Sequence, residues 1–180
     1  MDIIDLVKLT SRAWNLTILS LMHEGVPGRQ APLLSESGAS RTAFAQSLAH
    51  LIEIGMLERN PGHGHPLRPE FRLTARGQRA AALARRIIEF SGPEDQHLIR
   101  RSWTVPVLTT LRSPVRFGDI RRGLPDITDR ALSISLKSLE ERDWVERRVD
   151  GAARPPQPHY FAVNSGQAIS GIAADALAAA

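Results

Sequence analysis

The residues best suited to chemistry in this sequence are arginines that surround a well-patterned helix. They lie in the stretch VRFGDIRRGLPDITDRALSISLKSLEERDWVERR, Val115 to Arg148. Leu132, Leu136 and Leu139 fall at i, i+4 and i+7, which predicts one buried helix face. Guanidinium groups suit phosphate oxygens and guanine edges, so the polar remainder of this helix suggests a polyanionic partner.

A second helix of the same kind occurs earlier, in GASRTAFAQSLAHLIEIGMLER, Gly38 to Arg59. Phe44, Leu48 and Leu51 take the places of the three leucines. The exposed face of this helix is poorer in charge, because alanines stand where the later helix has serine and lysine. The two stretches therefore look like copies of one pattern.

The similarity extends over both halves of the chain. Trp14 and Trp103 are 89 residues apart (103 minus 14), and they begin WNLTILSLM and WTVPVLTTL. Further on, FRLTARG (71–77) aligns with YFAVNSG (160–166). This period is too long for a solenoid repeat and suits a duplicated small domain. We therefore predict two domains, 1–90 and 91–180.

Each half has the same predicted order of elements. A helix carrying the tryptophan, a second short helix and a turn precede the third helix, for which Ser40 and Thr128 are the predicted N-caps. A strand, a Gly/Pro-rich hairpin tip and a returning strand follow, and a last helix closes each half. The fold class is thus predicted to be mainly α with small β-hairpins, as tandem winged helix-turn-helix domains whose hairpins form the wings.

Composition limits the classes of protein to consider. The net charge is +4, cysteine is absent, and only Lys8 and Lys137 are lysines. Arginine-rich codon usage would also explain this bias, and composition alone does not separate it from polyanion binding. No apolar run approaches the roughly 20 residues of a membrane span, and the N-terminus does not resemble a secretory signal. We expect a cytoplasmic, nucleoid-associated protein.

No arrangement of residues predicts catalysis. The histidines are scattered and no Gly-rich phosphate loop occurs, so we expect no enzyme activity and no cofactor. His63 and His65 form a His-x-His pair, but no third ligand is near in sequence. A polar loop is favoured over a metal site there.

The second half resembles the HxlR-type winged-helix regulators of bacteria. That family reads roughly W-t-l-x-I-L, R-F-x-x-L-R-R-x-L-P-x-I-S, L-x-x-L-E-x-x-G-L-V-x-R and Y-x-L-T-x-x-G. The matching segments here are WTVPVL (103–108), RFGDIRRGLPDIT (116–128), LKSLEERDWVERR (136–148) and YFAVNSG (160–166). Asp143 replaces the usual glycine. The first half is a weaker copy that lacks the R-F and R-R-x-L-P motifs.

The resemblance implies a transcriptional regulator that binds double-stranded DNA. Such regulators are usually homodimers of single-domain subunits, held together by the first and last helices. Two domains in one chain could imitate that dimer, or the chain could form a homodimer with four winged helices. The operator, the sign of regulation and any small-molecule effector are not predicted.

The third helix of the second half supplies the best candidates for DNA contact. Thr128, Arg130 and Ser133 stand in its N-terminal part, which enters the major groove deepest, and are predicted to meet base edges. Lys137 is predicted to meet phosphate, with Asp129 available to orient Arg130. The preceding helix is expected to flank the groove with Arg116, Arg121 and Arg122.

The first half offers a weaker set. Its third helix is expected to expose Ala45, Ala49 and His50 beside the candidate contacts Ser40, Arg41, Thr42 and Gln46. The alanines could touch thymine methyl groups, or this half could have lost DNA binding. The wing arginines Arg68, Arg72 and Arg154 are predicted to lie along phosphates or in the minor groove.

Two other classes of function stay open. Tandem winged helices also serve as protein-interaction scaffolds, as in the chromosome-segregation partner ScpB, and such modules tend to be acidic on their third helices. A sensor with a small-molecule pocket between the domains is neither supported nor excluded. Trp14 and Trp103 are interpreted as core residues, and the Ala-rich segment 168–180 is predicted to pack against the first helix of a half.

Overall fold

The chain forms two compact units. The computed structural model describes residues 1–60, 69–151 and 156–178. The N-terminal unit comprises Arg12–Glu89, and the C-terminal unit comprises Met1–Ser11 together with Phe90–Ala180. This division differs from the predicted domains 1–90 and 91–180, because the first eleven residues belong to the C-terminal unit.

The first helix explains this difference. α1 (Ile3–Thr10) buries Leu6 and Leu9 completely. Its contacts are with the helix that begins after Trp103, and the Thr10 hydroxyl donates a hydrogen bond to the Ser102 carbonyl oxygen at 2.8 Å. Burial of each of these leucine side chains stabilises the fold by about 1.5–3 kcal/mol.

The N-terminal unit is a helical group closed by a two-stranded hairpin. In chain order the elements are α2 (Asn15–His23), α3 (Gln30–Ser37), α4 (Arg41–Glu53), β1 (Leu57–Arg59), β2 (Phe71–Leu73) and the part of α5 (Ala75–Ile99) up to Glu89. Helix α2 contacts both α3 and α4, and its Leu16, Ile18 and Leu19 are buried.

The C-terminal unit has the same kind of order with one more strand. After α1 and the end of α5 come α6 (Thr104–Thr109), β3 (Val115–Arg116), α7 (Phe117–Gly123), α8 (Asp129–Glu140), β4 (Val145–Asp150), β5 (Gln157–Ala162) and α9 (Asn164–Ala178). The strands form an antiparallel sheet in the order β3-β5-β4. A mainly helical unit with such a sheet is consistent with a winged helix-turn-helix.

Both predicted N-caps are confirmed. The Ser40 hydroxyl accepts a hydrogen bond from the Ala43 amide at 3.3 Å, and the Thr128 hydroxyl accepts one from the Ala131 amide at 3.1 Å. The predicted apolar faces are confirmed as well, since all six of their side chains are buried. They are Phe44, Leu48 and Leu51 on α4, and Leu132, Leu136 and Leu139 on α8.

Backbone conformation explains two features of the sequence. Asp143 adopts a φ of 54°, a left-handed conformation that favours glycine, in the turn between α8 and β4. Aspartate is one of the few other residues that tolerate it, so the departure from the HxlR pattern keeps the turn. Gly92 has φ 69° and ψ 166° inside α5, and Pro93 follows. The helix is therefore broken at this point by the Gly-Pro pair.

The tryptophans differ from the prediction. Trp14 and Trp103 are the N-caps of α2 and α6 rather than residues within a helix, and both are only half-buried. Trp144 is instead the largest fully buried side chain, at 2% exposure. The reason is that α1 is a separate helix, so the chain turns just before Trp14.

The last helix packs as predicted. α9 contacts α6 within the C-terminal unit, and its Ile169, Ile172 and Ala173 are buried. Gly166 lies at the start of this helix, where an added Cβ would overlap the carbonyl oxygen of Trp144. The close approach of α9 to Trp144, in the turn between α8 and β4, therefore requires glycine.

Gly166→Ala is expected to destabilise the C-terminal unit by about 1–2 kcal/mol, because relief of the overlap shifts α9 away from its packed position. Gly171→Ala on the same helix is the matched control, since nothing lies within 4 Å of a Cβ placed there. It should be neutral or stabilising by up to about 1 kcal/mol. Urea unfolding of both variants measures the difference, and equal midpoints would contradict the close approach.

Candidate nucleic-acid interface

Helix α8 presents a continuous exposed face opposite its buried leucines. Arg130, Ser133, Ile134 and Lys137 are all exposed. Their spacing of i, i+3, i+4 and i+7 places them on one side of the helix. The N-cap at Thr128 fixes the start of α8, so Arg130 lies in its first turn.

Ile134 was not among the predicted contact residues. This side chain is 52% exposed and is one of four large hydrophobic residues exposed within the described part of the chain. It lies two residues from both Leu132 and Leu136, a spacing that turns it away from the core. The exposure of Ile134 could therefore have been predicted from the sequence. An exposed isoleucine between an arginine and a lysine can contact the methyl group of thymine.

The charged groups around α8 differ in how firmly they are held. Arg130 makes no ion pair or hydrogen bond with any part of the chain that the structure describes. Lys137 lies 3.8 Å from a carboxylate oxygen of Glu141, with both side chains exposed. Exposed ion pairs contribute at most about 1 kcal/mol, so Lys137 can exchange Glu141 for a phosphate.

The expected role of Asp129 changes. Its carboxylate lies 3.3 Å from Nε of Arg121 on α7, so it does not orient Arg130. Arg122 on the same helix pairs with Asp119. Both arginines of α7 are therefore held by surface carboxylates, and their pairs are exposed enough to open at little cost.

Arg116 occupies a different element from the one expected. It lies in β3 and is the N-cap residue of α7, not part of that helix. It pairs with His159 in the sheet, and its Nε is 3.5 Å from Nε2 of that histidine. Arg116 is thus positioned by the wing sheet.

The wing of the C-terminal unit carries two further arginines on β4. Arg148 donates a 2.6 Å hydrogen bond to Glu146 and stacks 4.4 Å above the ring of Phe161. The hydrogen bond lowers the pKa of Glu146 and raises that of Arg148. Arg147 is exposed and has no ion-pair partner in the described ranges. Sequence reasoning missed it, whereas the predicted wing residue Arg154 lies outside the described residues.

Helix α4 carries the corresponding surface of the N-terminal unit. Arg41, Thr42, Ala45, Gln46 and Ala49 are exposed, as predicted. The hydroxyl of Ser40 is also exposed but is occupied as an acceptor by its capping role, and the same holds for Thr128 in the other unit. Each hydroxyl still has a proton to donate.

His50 is wrongly predicted as exposed. It is half-buried, and its Nδ1 lies 3.0 Å from Nδ2 of the buried Asn15. Burial lowers the pKa of His50, with Glu53 acting to raise it and Arg12 to lower it. The helical spacing from Leu51 does not reveal this inward position, which depends on the neighbouring α2.

The wing of the N-terminal unit is described only in part. Arg72 on β2 pairs with Glu58 on β1, at 2.7 Å between Nε and Oε1. Arg68, His63 and His65 lie outside the described residues. Over the ranges 1–60, 69–151 and 156–178, no three histidine, aspartate or glutamate residues are grouped to hold a metal ion.

The comparisons with known proteins bear on the C-terminal unit. Residues 98–178 match the profile of the HxlR-like helix-turn-helix family. Neither the search of curated proteins nor that of solved structures returned a match. In the parts of the chain that the structure describes, every helix is too short or too polar to cross a membrane. Residues 98–178 are thus similar to a family of helix-turn-helix transcriptional regulators.

Proposed function

We propose that this chain is a sequence-specific regulator that binds double-stranded DNA through two winged helices in one polypeptide. The observation that carries the proposal is the exposed face of α8, where Arg130, Ser133, Ile134 and Lys137 stand opposite the buried leucines. Base edges in a major groove are read by groups such as an arginine, a hydroxyl and an apolar side chain. A lysine beside them can bind phosphate.

Matched backbone contacts support the tandem arrangement. The Met56 amide donates to the Leu51 carbonyl at 2.9 Å, as the Trp144 amide does to that of Leu139. The carbonyls of Met56 and Trp144 then accept from Thr74 and Val163 at 3.1 and 2.9 Å. An added Cβ at Gly77 or Gly166 would overlap those same two oxygens. One local architecture thus joins the third helix, wing and last helix in each unit.

The entry to the second helix is also matched. Arg29 is the N-cap residue of α3, forms a β-bridge with Glu70, and places Nε 3.3 Å from that carboxylate. Arg116 is the N-cap residue of α7 and pairs with His159 in the same way. Arg29 thus takes a place in its unit similar to that of Arg116, although Gln30 follows it where the motif has phenylalanine.

The two units are not equivalent on their exposed faces. On α4 the face has one cation, Arg41, with Thr42 and Gln46 as its polar groups. On α8 two cations flank the apolar contact. We propose that the C-terminal unit supplies most of the specificity and that the N-terminal unit adds weaker contacts. The scaffold alternative would require neither face to bind DNA.

Salt dependence tests the proposal. A duplex selected from genomic fragments should bind with an affinity that falls steeply with salt, by about 0.9 log units of K per neutralised phosphate per log unit of salt. We expect a slope equivalent to several contacts. Titration by fluorescence anisotropy at four salt concentrations measures it. A slope near zero would favour the scaffold.

Stoichiometry separates the two forms of the regulator. A single chain acting as a pseudo-dimer gives one 19.8 kDa protein per duplex, whereas a homodimer gives two. Sedimentation velocity of the complex, with a duplex containing one selected site, distinguishes the two masses. If one chain acts as a pseudo-dimer, the protein should also be a monomer in the absence of DNA. The homodimer form should instead be a dimer, held by first and last helices as the family resemblance implies.

A further inference from the structure

The N-terminal unit contains a cavity between α3 and α4. Its volume is about 340 Å³, within the range of small-molecule sites. It is open to solvent, since four of its six lining residues are exposed, and its lining is mostly apolar with one guanidinium and one amide. The lining residues are Gln30, Ala31, Leu34, Arg41, Phe44 and Ala45.

The charge in this cavity has no internal counter-ion. Arg41 stands in the first turn of α4, and no carboxylate pairs with it in the residues that the structure describes. The partial positive charge at the start of α4 adds to that of the guanidinium. An anion placed here would meet an arginine that gives up no existing ion pair.

The C-terminal unit has an ion pair at the matching position, between its second and third helices. There, the first residue after the N-cap is Asp129, and it pairs with Arg121 across α7 and α8 at 3.3 Å. Arg121 follows the buried Ile120, just as Leu34 follows the buried Leu33. In the N-terminal unit Leu34 replaces that arginine and Arg41 replaces that aspartate. The ion pair that bridges the helices is lost.

We propose that this cavity binds a small organic carboxylate with an apolar body, such as an arylalkanoate. The carboxylate would accept two parallel hydrogen bonds from Arg41, a geometry that guanidinium matches and a single cation on a flexible stem does not. The apolar body would lie against Leu34 and Phe44, and Gln30 can donate to one of the remaining carboxylate lone pairs. Binding at this site needs no DNA, although Arg41 and Ala45 also belong to the exposed face of α4 that is proposed to contact DNA.

The test uses the full-length protein without DNA, labelled with ¹⁵N, and 3-phenylpropionate as the probe. We expect saturable shifts of amide signals from α3 and α4. Two related probes separate the components of recognition. 3-Phenylpropanamide keeps the ring without the charge and propionate keeps the charge without the ring, and each should bind at least about tenfold more weakly, a loss of about 1.4 kcal/mol.

Matched substitutions locate the site. Arg41→Gln should weaken binding of 3-phenylpropionate by about tenfold or more, since it removes the charge from an exposed position that folding does not need. Arg130→Gln is the control, an exposed arginine on α8 that also has no ion pair among the described residues, and it should change the affinity by less than about twofold.

A second pair of variants tests the volume. Ala45→Leu should block the cavity, whereas Ala49→Leu, one turn further along the exposed face of α4, should leave binding intact. The proposal is overturned by an absence of saturable shifts, by equal binding of the amide probe, or by equal effects of the two arginine substitutions. All of these measurements are made without DNA, so their outcome can be distinguished from that of the proposed function.

Discussion

Replacing Leu9 with alanine is expected to lower the free energy of unfolding of the C-terminal unit by about 2–5 kcal/mol. The side chain is fully buried although it lies 89 residues before the start of the HxlR-like match (98 minus 9). Truncation should leave a cavity between α1 and α6. It should also loosen α1 and so weaken the hydrogen bond from Thr10 to Ser102. The HxlR-like match does not cover α1, although this helix belongs to the same compact unit.

Ile4→Ala is the matched control for this prediction. Ile4 lies on the same helix but is 49% exposed, so its truncation should change stability by less than about 0.5 kcal/mol. Hydrogen exchange measured by mass spectrometry resolves the two units. Peptides from α6 and α9 should exchange faster in the Leu9 variant, while those from α2 to α4 keep their protection. Loss of protection confined to α2–α4 would show that α1 belongs elsewhere.

The sequence predicted the elements well because their signals are local. Helical spacing located the buried faces of α4 and α8, and hydroxyl residues before each face located the N-caps. Gly92 and Pro93 marked the break in α5. Each of these features depends on residues within one turn of helix, where propensity and hydrogen bonding are set by near neighbours.

The unit that receives α1 was not predictable in the same way. The spacing of Leu6 and Leu9 indicates a buried helix face, but it contains no information on which core covers that face. Because α1 comes first in the chain, the sequence favoured its assignment to the first unit. The structure places α1 with the second because its leucines and the Thr10 hydroxyl find their partners on α6 and at Ser102.

The candidate site shows the same limit. The exposure of Arg130 and Lys137 follows from their spacing against the leucines. The pairing of Asp129 with Arg121 depends instead on how α7 crosses α8, and the placement of Arg116 depends on β3 pairing with β5. Strand β3 is only two residues long, too short to produce an alternating pattern. The exposure of Ile134, by contrast, follows from its spacing against Leu132 and Leu136.

Arg130→Ala is expected to weaken binding to the selected duplex by about 1–3 kcal/mol and to relax the preference at one base pair. Arg130 is exposed in the first turn of α8, and no described residue holds it. Guanine offers it two acceptors in the major groove. Folding should be almost unchanged, as a thermal melt would show, because the substitution removes no buried contact.

Lys137→Ala provides the comparison that separates base reading from phosphate binding. Lys137 lies about two turns further along α8, and its only described ion pair is the exposed one with Glu141. Its loss should weaken binding to selected and scrambled duplexes alike and reduce the salt slope by about one. Titration of both variants on both duplexes distinguishes the roles. If Arg130→Ala binds the selected duplex as the wild type does, α8 is not the reading helix, and specificity must lie with α4 or the wings.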